Sequence, residues 1–200
     1  MDKQRIAIFA SGRGTNAAKI MDHFSKSELF EVAFLLGNKG NIGALEEARK
    51  RNIEALHFSN EQLATDSFLL DICTNQGVDC IVLAGFLRKI PPALIQHFPN
   101  KIFNIHPSLL PAFGGPGMYG AHVHNAVLEQ KAKTSGITIH FVDENYDEGQ
   151  IIAQFHSVVD QNETLATLNE KISALEHSYY AHVIEATLLM ANATKKQQHG

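Results

Sequence analysis

A chain of 200 residues with 44% hydrophobic content is long enough for one substantial α/β domain, and a formal net charge of −4 excludes a surface devoted to nucleic-acid backbone or anionic membrane. Its two cysteines, Cys73 and Cys80, match neither a disulfide framework nor paired metal-ligand dipeptides, so reduced buried thiols are expected. No secretory leader or membrane-spanning run is visible, which predicts a cytoplasmic protein; the charge predicts small-molecule ligands with no nucleic-acid or membrane partner, and the sequence leaves a monomer or a homodimer open.

The first run, Arg5–Ala10, is apolar and predicts a buried strand. Ser11-Gly12-Arg13-Gly14-Thr15-Asn16-Ala17 follows, then a helix over Asn16–Lys26, an arrangement in which unpaired N–H groups at a helix start face an anion. A tight strand-to-helix turn explains an isolated Gly-x-Gly equally well. Gly12, Gly14 and Ala17 fit the loose dinucleotide fingerprint, but the acid it requires at the end of the second strand is missing. Glu31 stands at the start of that strand, Glu31–Gly37, and its far end is Gly37-Asn38-Lys39. No Walker lysine-serine pair follows the loop either, so a single phosphate is the preferred ligand.

Further along, Ile42–Arg51, Glu61–Asn75, Pro92–His97 and Ala121–Gln130 suit amphipathic helices, and Asp79–Ala84, Lys101–Ile105, Gly136–Val142 and Ile151–Val159 suit strands. This alternation predicts an α/β fold: a Rossmann-like, open, mostly parallel sheet with helices on both faces. Pro111–Gly120, with glycines at 114, 115, 117 and 120 around Pro116, predicts a long mobile loop. From Leu165 an apolar series (Leu168, Ile172, Leu175, Tyr179, Val183, Ala186, Met190) predicts one long helix laid on the sheet. A single domain over 1–190 and a frayed tail over 191–200 complete the expected organisation.

Asn104 and His106 stand two apart on a strand-like segment that Pro107 ends, so both side chains project to one face at a strand's carboxyl end, where open α/β sheets hold ligands. An amide donor beside an imidazole suits stabilisation of a developing oxyanion, although one histidine at a strand end is also a common structural residue. Asp143-Glu144-Asn145-Tyr146-Asp147-Glu148-Gly149 is a carboxylate-rich loop between two strands. Its plain reading is an acidic hairpin turn with Gly149 supplying the unusual backbone angle, and its glycine falls in the wrong place for an EF-hand. His122 and His124 could ligate a metal, but no third ligand is suggested by spacing; a helix start with at most a substrate-side role is favoured.

The string Phe103-Asn104-Ile105-His106-Pro107-Ser108-Leu109-Leu110-Pro111, preceded by Leu83-Ala84-Gly85-Phe86-Leu87-Arg88 and followed by Tyr146-Asp147-Glu148-Gly149, closely resembles the phosphoribosylglycinamide formyltransferases, the folate-dependent transformylases of purine biosynthesis. The resemblance spans nearly the whole chain and implies the formyltransferase fold, with 10-formyltetrahydrofolate as formyl-donor cosubstrate, glycinamide ribonucleotide as acceptor, and no metal. By the same resemblance Asn104, His106 and Asp147 form the catalytic group, and Gly14, Thr15 and Asn16 hold the ribonucleotide phosphate. Glu176 and Pro107 would meet its glycinamide and ribose portion, and Leu87, Arg88, Ile90, Asp143, Glu144, Asn145 and Tyr146 the folate. Asp147 beside His106 is expected to raise the histidine pKa and favour imidazolium. The segment Asn60–Phe68 lacks the arginine that relatives place on the folate tail, with Gln62 the nearest match.

Methionyl-tRNA formyltransferase and formyltetrahydrofolate deformylase share the Asn-x-His core and are the alternatives within the resemblance. The length of the chain argues against the extra domains those enzymes carry. A catalytically silent ligand-binding module of the same fold is the alternative outside it.

Overall fold

The computed structural model describes residues 2–63 and 67–198. Residues 64–66, inside the arginine-free segment, and 199–200, in the expected tail, lie outside the described residues. Seven strands form one sheet: β1 (Gln4–Ala10), β2 (Phe30–Gly37), β3 (Glu54–His57), β4 (Cys80–Leu83), β5 (Ile102–His106), β6 (Thr134–Phe141) and β7 (Ile151–Val158). Their order is β3-β2-β1-β4-β5-β6-β7. Pairing is parallel from β3 through β5 and antiparallel for β5–β6 and β6–β7, so the sheet is mostly parallel as the alternation predicts.

Strand β1 shows why this sheet is covered on both sides. Side chains alternate across a strand, and here Ile6, Ile8 and Ala10 enter one core while Ala7 and Phe9 enter the other. The first core is closed by α1 (Thr15–Phe24), α2 (Gly43–Lys50), α6 (Ala121–Glu129) and α7 (Leu165–Gln198), through residues such as Ile20, Leu45, Val127 and Leu168. The second is closed by α4 (Phe68–Asn75) and α5 (Pro92–His97), through Leu69, Cys73 and Leu94. The chain winds outward from β1 in one direction to β2 and in the other to β4, so the β1 and β4 exits diverge and leave a crevice at their carboxyl ends.

Three local features depart from the sequence expectations. Strand β3 is absent from them because its four residues, Glu54 to His57, carry no apolar run and serve as a short, polar sheet edge. The single helix expected over Glu61–Asn75 is two, α3 (Asn60–Leu63) and α4; Ser59 and Gln62 bond each other's backbone N–H groups, a reciprocal cap that starts a separate short helix.

The stripe of α7 also turns: Leu168 and Ile172 are buried as expected, but Tyr180, Ala181, Ile184 and Leu188 continue it, while Tyr179 and Met190 are exposed. Tyr180 takes the inner position because its hydroxyl hydrogen is shared between the carbonyls of Leu83 and Phe103, at 2.9 and 3.1 Å, which satisfies a buried phenol. Tyr179 stacks instead on Phe155 of β7, ring centroids 3.8 Å apart. Unlike the frayed tail expected from 191 onward, the backbone stays helical to Gln198, and Asn192 exchanges two side-chain hydrogen bonds with Gln4.

Candidate active site

Several segments converge at the crevice. The β1–α1 turn and the β4–α5 segment are stitched together by Ser11 N–H to the Gly85 carbonyl (3.2 Å) and by Leu87 N–H to Ser11 Oγ (3.0 Å). The end of β5 brings Asn104 and His106, the β6–β7 loop brings Asp143–Asp147, and α7 brings Asn169, Ser173 and Glu176. Between them lies a cavity of about 420 Å³, within the range of small-molecule sites.

Of the residues anticipated from sequence, Thr15, Asn16, Leu87, Arg88, Ile90, Asn104, His106, Pro107, Asp143, Glu144, Asn145, Tyr146, Asp147 and Glu176 all line this cavity. Gly14 does not. It sits at φ +86°, and a Cβ built there would lie 2.4 Å from Ala44 Cα, so this glycine lets α1 and α2 approach closely. Arg13 and Gly12 also line the wall.

Antiparallel register explains the central cluster. Asn104 lies opposite His140 and His106 opposite Thr138, so these side chains share one face of the sheet. His140 donates Nδ1–H to the Phe141 carbonyl (2.8 Å), which leaves Nε2 as an acceptor for the Asn104 amide Nδ2–H (3.1 Å). The amide is thereby oriented with its second N–H still available. Thr138 accepts from Leu110 N–H (2.9 Å) and donates to the Ser108 carbonyl (2.7 Å), and Ser108 Oγ donates to the Ala112 carbonyl (2.6 Å), so the first half of the loop after β5 is fixed.

Asp147 stands between the two histidines, with Oδ2 3.5 Å from His106 Nδ1 and Oδ1 3.7 Å from His140 Nε2. Its φ of +59° is left-handed, an uncommon conformation for a residue with a side chain. The unusual angle of this loop therefore belongs to Asp147. Gly149 is needed for a different reason: a Cβ there would lie 1.9 Å from the Phe141 carbonyl oxygen. Asp147 Oδ2 also accepts Gly115 N–H at 3.0 Å, and His106 Nε2 donates to the Phe113 carbonyl at 2.8 Å, so the glycine-rich loop is latched onto both groups.

The electrostatics correct one expectation. Burial pushes the His106 pKa below its ordinary value; Asp147 and the Phe113 carbonyl pull upward but do not prevail, so the resting imidazole is neutral near pH 7 rather than an imidazolium. His140 and His124 are also pushed down, chiefly by burial. Glu176 is pushed up by burial despite accepting a hydrogen bond from Asn16 Nδ2 at 2.9 Å, and Asn16 Oδ1 is buried without a partner among the described residues. Among the described residues no group of three His, Cys, Asp or Glu side chains could hold a metal ion.

His140 went unanticipated. Its sequence signal was a histidine inside an otherwise apolar strand, Gly136–Val142; such a buried polar group must have a partner, but the partner becomes visible only with the β5–β6 register.

Residues 4–184 match the family model described as formyl transferase. The chain is 43% identical over 190 residues to the chloroplastic phosphoribosylglycinamide formyltransferase of Arabidopsis thaliana, covering 92% of this chain and 65% of that protein. It thus spans just under two thirds of the length of this plant relative. It is 35% identical to the phosphoribosylglycinamide formyltransferase of Bacillus subtilis (strain 168), covering 96% of this chain and 99% of that one. Glycinamide ribonucleotide transformylase 1 from Geobacillus kaustophilus superposes with a TM-score of 0.85 at 33% identity, over 94% of this chain and 100% of that one.

Proposed function

This chain belongs to the formyl transferase family, and from that premise we propose that it moves a formyl group from 10-formyltetrahydrofolate to the amine of glycinamide ribonucleotide, a step of purine biosynthesis. The observation that carries the reading is the convergence of Asn104, His106 and Asp147 on one cavity whose opposite walls suit different substrates. One wall, from the β1–α1 turn and α7, offers Arg13, unpaired N–H groups at the start of α1, and the acceptor pair Asn16 Oδ1 and Glu176. Those groups complement a phosphate and an amine. The other, from Phe86 to Ile90 and Val142 to Tyr146, joins apolar side chains such as Phe86, Ile90 and Val142 to backbone outside any helix or strand and suits a flat heteroaromatic donor.

The donor supplies an activated formyl carbon. The amine nitrogen bonds to that carbon, the bond from carbon to the donor nitrogen breaks, and the proton lost by the amine ends on the donor nitrogen. Asn104 has one amide N–H fixed on His140 and directs the other at the negative charge developing on the formyl oxygen. His106 gives a second donor once its Nε2–H leaves the Phe113 carbonyl, which requires the loop to move. Asp147, beside His106, takes the amine proton as a carboxylate and passes it on to the donor nitrogen. Closure of the 113–120 loop over the bound substrates would exclude water from the formyl group. The buried free thiols Cys73 and Cys80, each pushed up to about 12 by burial, suit the reducing cytoplasm.

The test is to supply 10-formyltetrahydrofolate with glycinamide ribonucleotide, with initiator methionyl-tRNA, or with water alone, and to follow release of the tetrahydrofolate product. Turnover with the ribonucleotide alone is expected. Turnover only with tRNA or water would reassign the acceptor, and none in any mixture would leave a silent module.

A further inference from the structure

His124 lies in the first turns of α6 and forms part of the cavity wall, just beyond the glycine-rich loop. It is 3% exposed, and its Nδ1 is sealed from solvent without a hydrogen-bond partner among the described residues. A neutral imidazole carries one N–H donor and one acceptor lone pair, and leaving a buried one unsatisfied is costly. Burial and the neighbouring His106 both oppose a proton on the ring. The group is therefore a neutral, unsatisfied hydrogen-bonding side chain beside the catalytic cluster.

Its place in the fold indicates which substrate it faces. Helices α1, α6 and α7 pack together on one side of the sheet, sharing a core that includes Ala17, Val127 and Leu168. Phe86 and Ile90 belong to the core on the other side, with Val142 packed against it. His124 thus enters from the wall that carries the β1–α1 turn and Glu176, opposite the segments assigned above to the folate.

We propose that His124 is an acceptor-binding residue that hydrogen-bonds an uncharged hydroxyl or amide of the phosphorylated amine substrate. The inference rests on the reading that this cavity holds such an acceptor. A hydroxyl or amide can both give and receive a hydrogen bond, which is what a neutral imidazole needs; the phosphate calls for donors only and stays with the α1 turn. Binding would supply the hydrogen-bond partner that His124 Nδ1 lacks among the described residues.

The test uses His124→Leu, His124→Asn and His124→Gln in the full chain, with KM measured for both substrates and acceptor affinity measured separately by calorimetry. Asn places an amide near the Nδ1 position and Gln near the Nε2 position. Leu should weaken acceptor binding about tenfold, the effect of losing one hydrogen bond. It should leave the folate KM unchanged, and its Tm should match or exceed the parent's because an unsatisfied buried group is removed. Asn or Gln should restore most of the acceptor affinity. Unchanged acceptor affinity in His124→Leu, equal weakening of both substrates, or failure of both amides to restore binding would each overturn the proposal. Failure of the underlying reading is distinguishable, because the parent protein would then transfer no formyl group to glycinamide ribonucleotide.

Discussion

The two glycine-rich segments of this molecule use the same residue for opposite ends. After β1, Gly14 is held at φ +86° with a Cβ position 2.4 Å from Ala44 Cα, and Gly43 of α2 returns the contact with its own Cβ position 2.6 Å from the Arg13 carbonyl oxygen. After β5, Gly115, Gly117 and Gly120 also have positive φ, but a Cβ on any of them would meet nothing within 4 Å. Gly14 and Gly43 permit close packing, as expected of a rigid seat; Gly115, Gly117 and Gly120 leave room for backbone reshaping, as the proposed cover requires. Glycine content alone therefore does not tell a rigid binding loop from a mobile one. The space around each missing Cβ does.

The strongest way to sharpen that contrast is at the point where the cover is latched to the chemistry. Asp147 holds the loop through Gly115 N–H and faces His106 through the same oxygen. Asp147→Asn keeps an acceptor for the latch and removes the charge, so kcat should fall on the order of 100- to 1,000-fold, with a modest change in KM and unaltered amide exchange in the loop. Parental turnover by folded Asp147→Asn protein would remove Asp147 from the mechanism.

A substitution in the seat should act on folding before it acts on binding. Gly14→Val forces a β-branched side chain into a left-handed backbone, at roughly 1–2 kcal/mol, and into Ala44 backbone, at about 1–3 kcal/mol more for overpacking. The expected loss in Tm is on the order of 10 °C. A fully stable Gly14→Val variant with weakened ribonucleotide binding would return this glycine to the cavity wall.

In the cover, Gly117→Ala meets no neighbouring atom and should cost only about 1 kcal/mol, a fall of roughly 2–4 °C in Tm. Hydrogen exchange offers a check without mutation: amides of 114–120 should exchange faster than those of 15–18 in the free protein and gain protection when both substrates bind. Equal, strong protection with and without substrates would eliminate the cover.

The pH dependence of stability is the subtlest expected effect. His106, His124 and His140 have folded-state pKa values below the ordinary 6.5, so on acidification the unfolded chain takes up their protons first. Their stabilising contribution is complete above pH 6.5 and is lost as pH falls from there through the folded-state values. Urea unfolding at pH 7.5 and 5.5 should show the lower stability at 5.5; equal or higher stability there would contradict burial of neutral imidazoles. The raised pKa of Glu176 acts in the opposite sense: its contribution is complete below 4.5 and is lost as pH rises through its folded-state value.

Much of this molecule was legible in the linear chain. Alternating apolar runs and amphipathic stretches determined the layered α/β architecture, because burying a strand on both faces demands continuous hydrophobicity whatever the neighbouring strand is. The Asn104 and His106 pair was legible from a two-residue spacing ended by proline, since that spacing alone places both side chains on one face. Tertiary structure decided what depends on approach between distant segments: the tuning of Asn104 by His140 through strand register, the left-handed turn that aims Asp147 at His106, the packing role of Gly14 against Ala44, and the buried, unpartnered Nδ1 of His124 on the cavity wall. Each is a matter of distance and desolvation, and the chain's residue types set neither until the sheet and its helices bring the partners together.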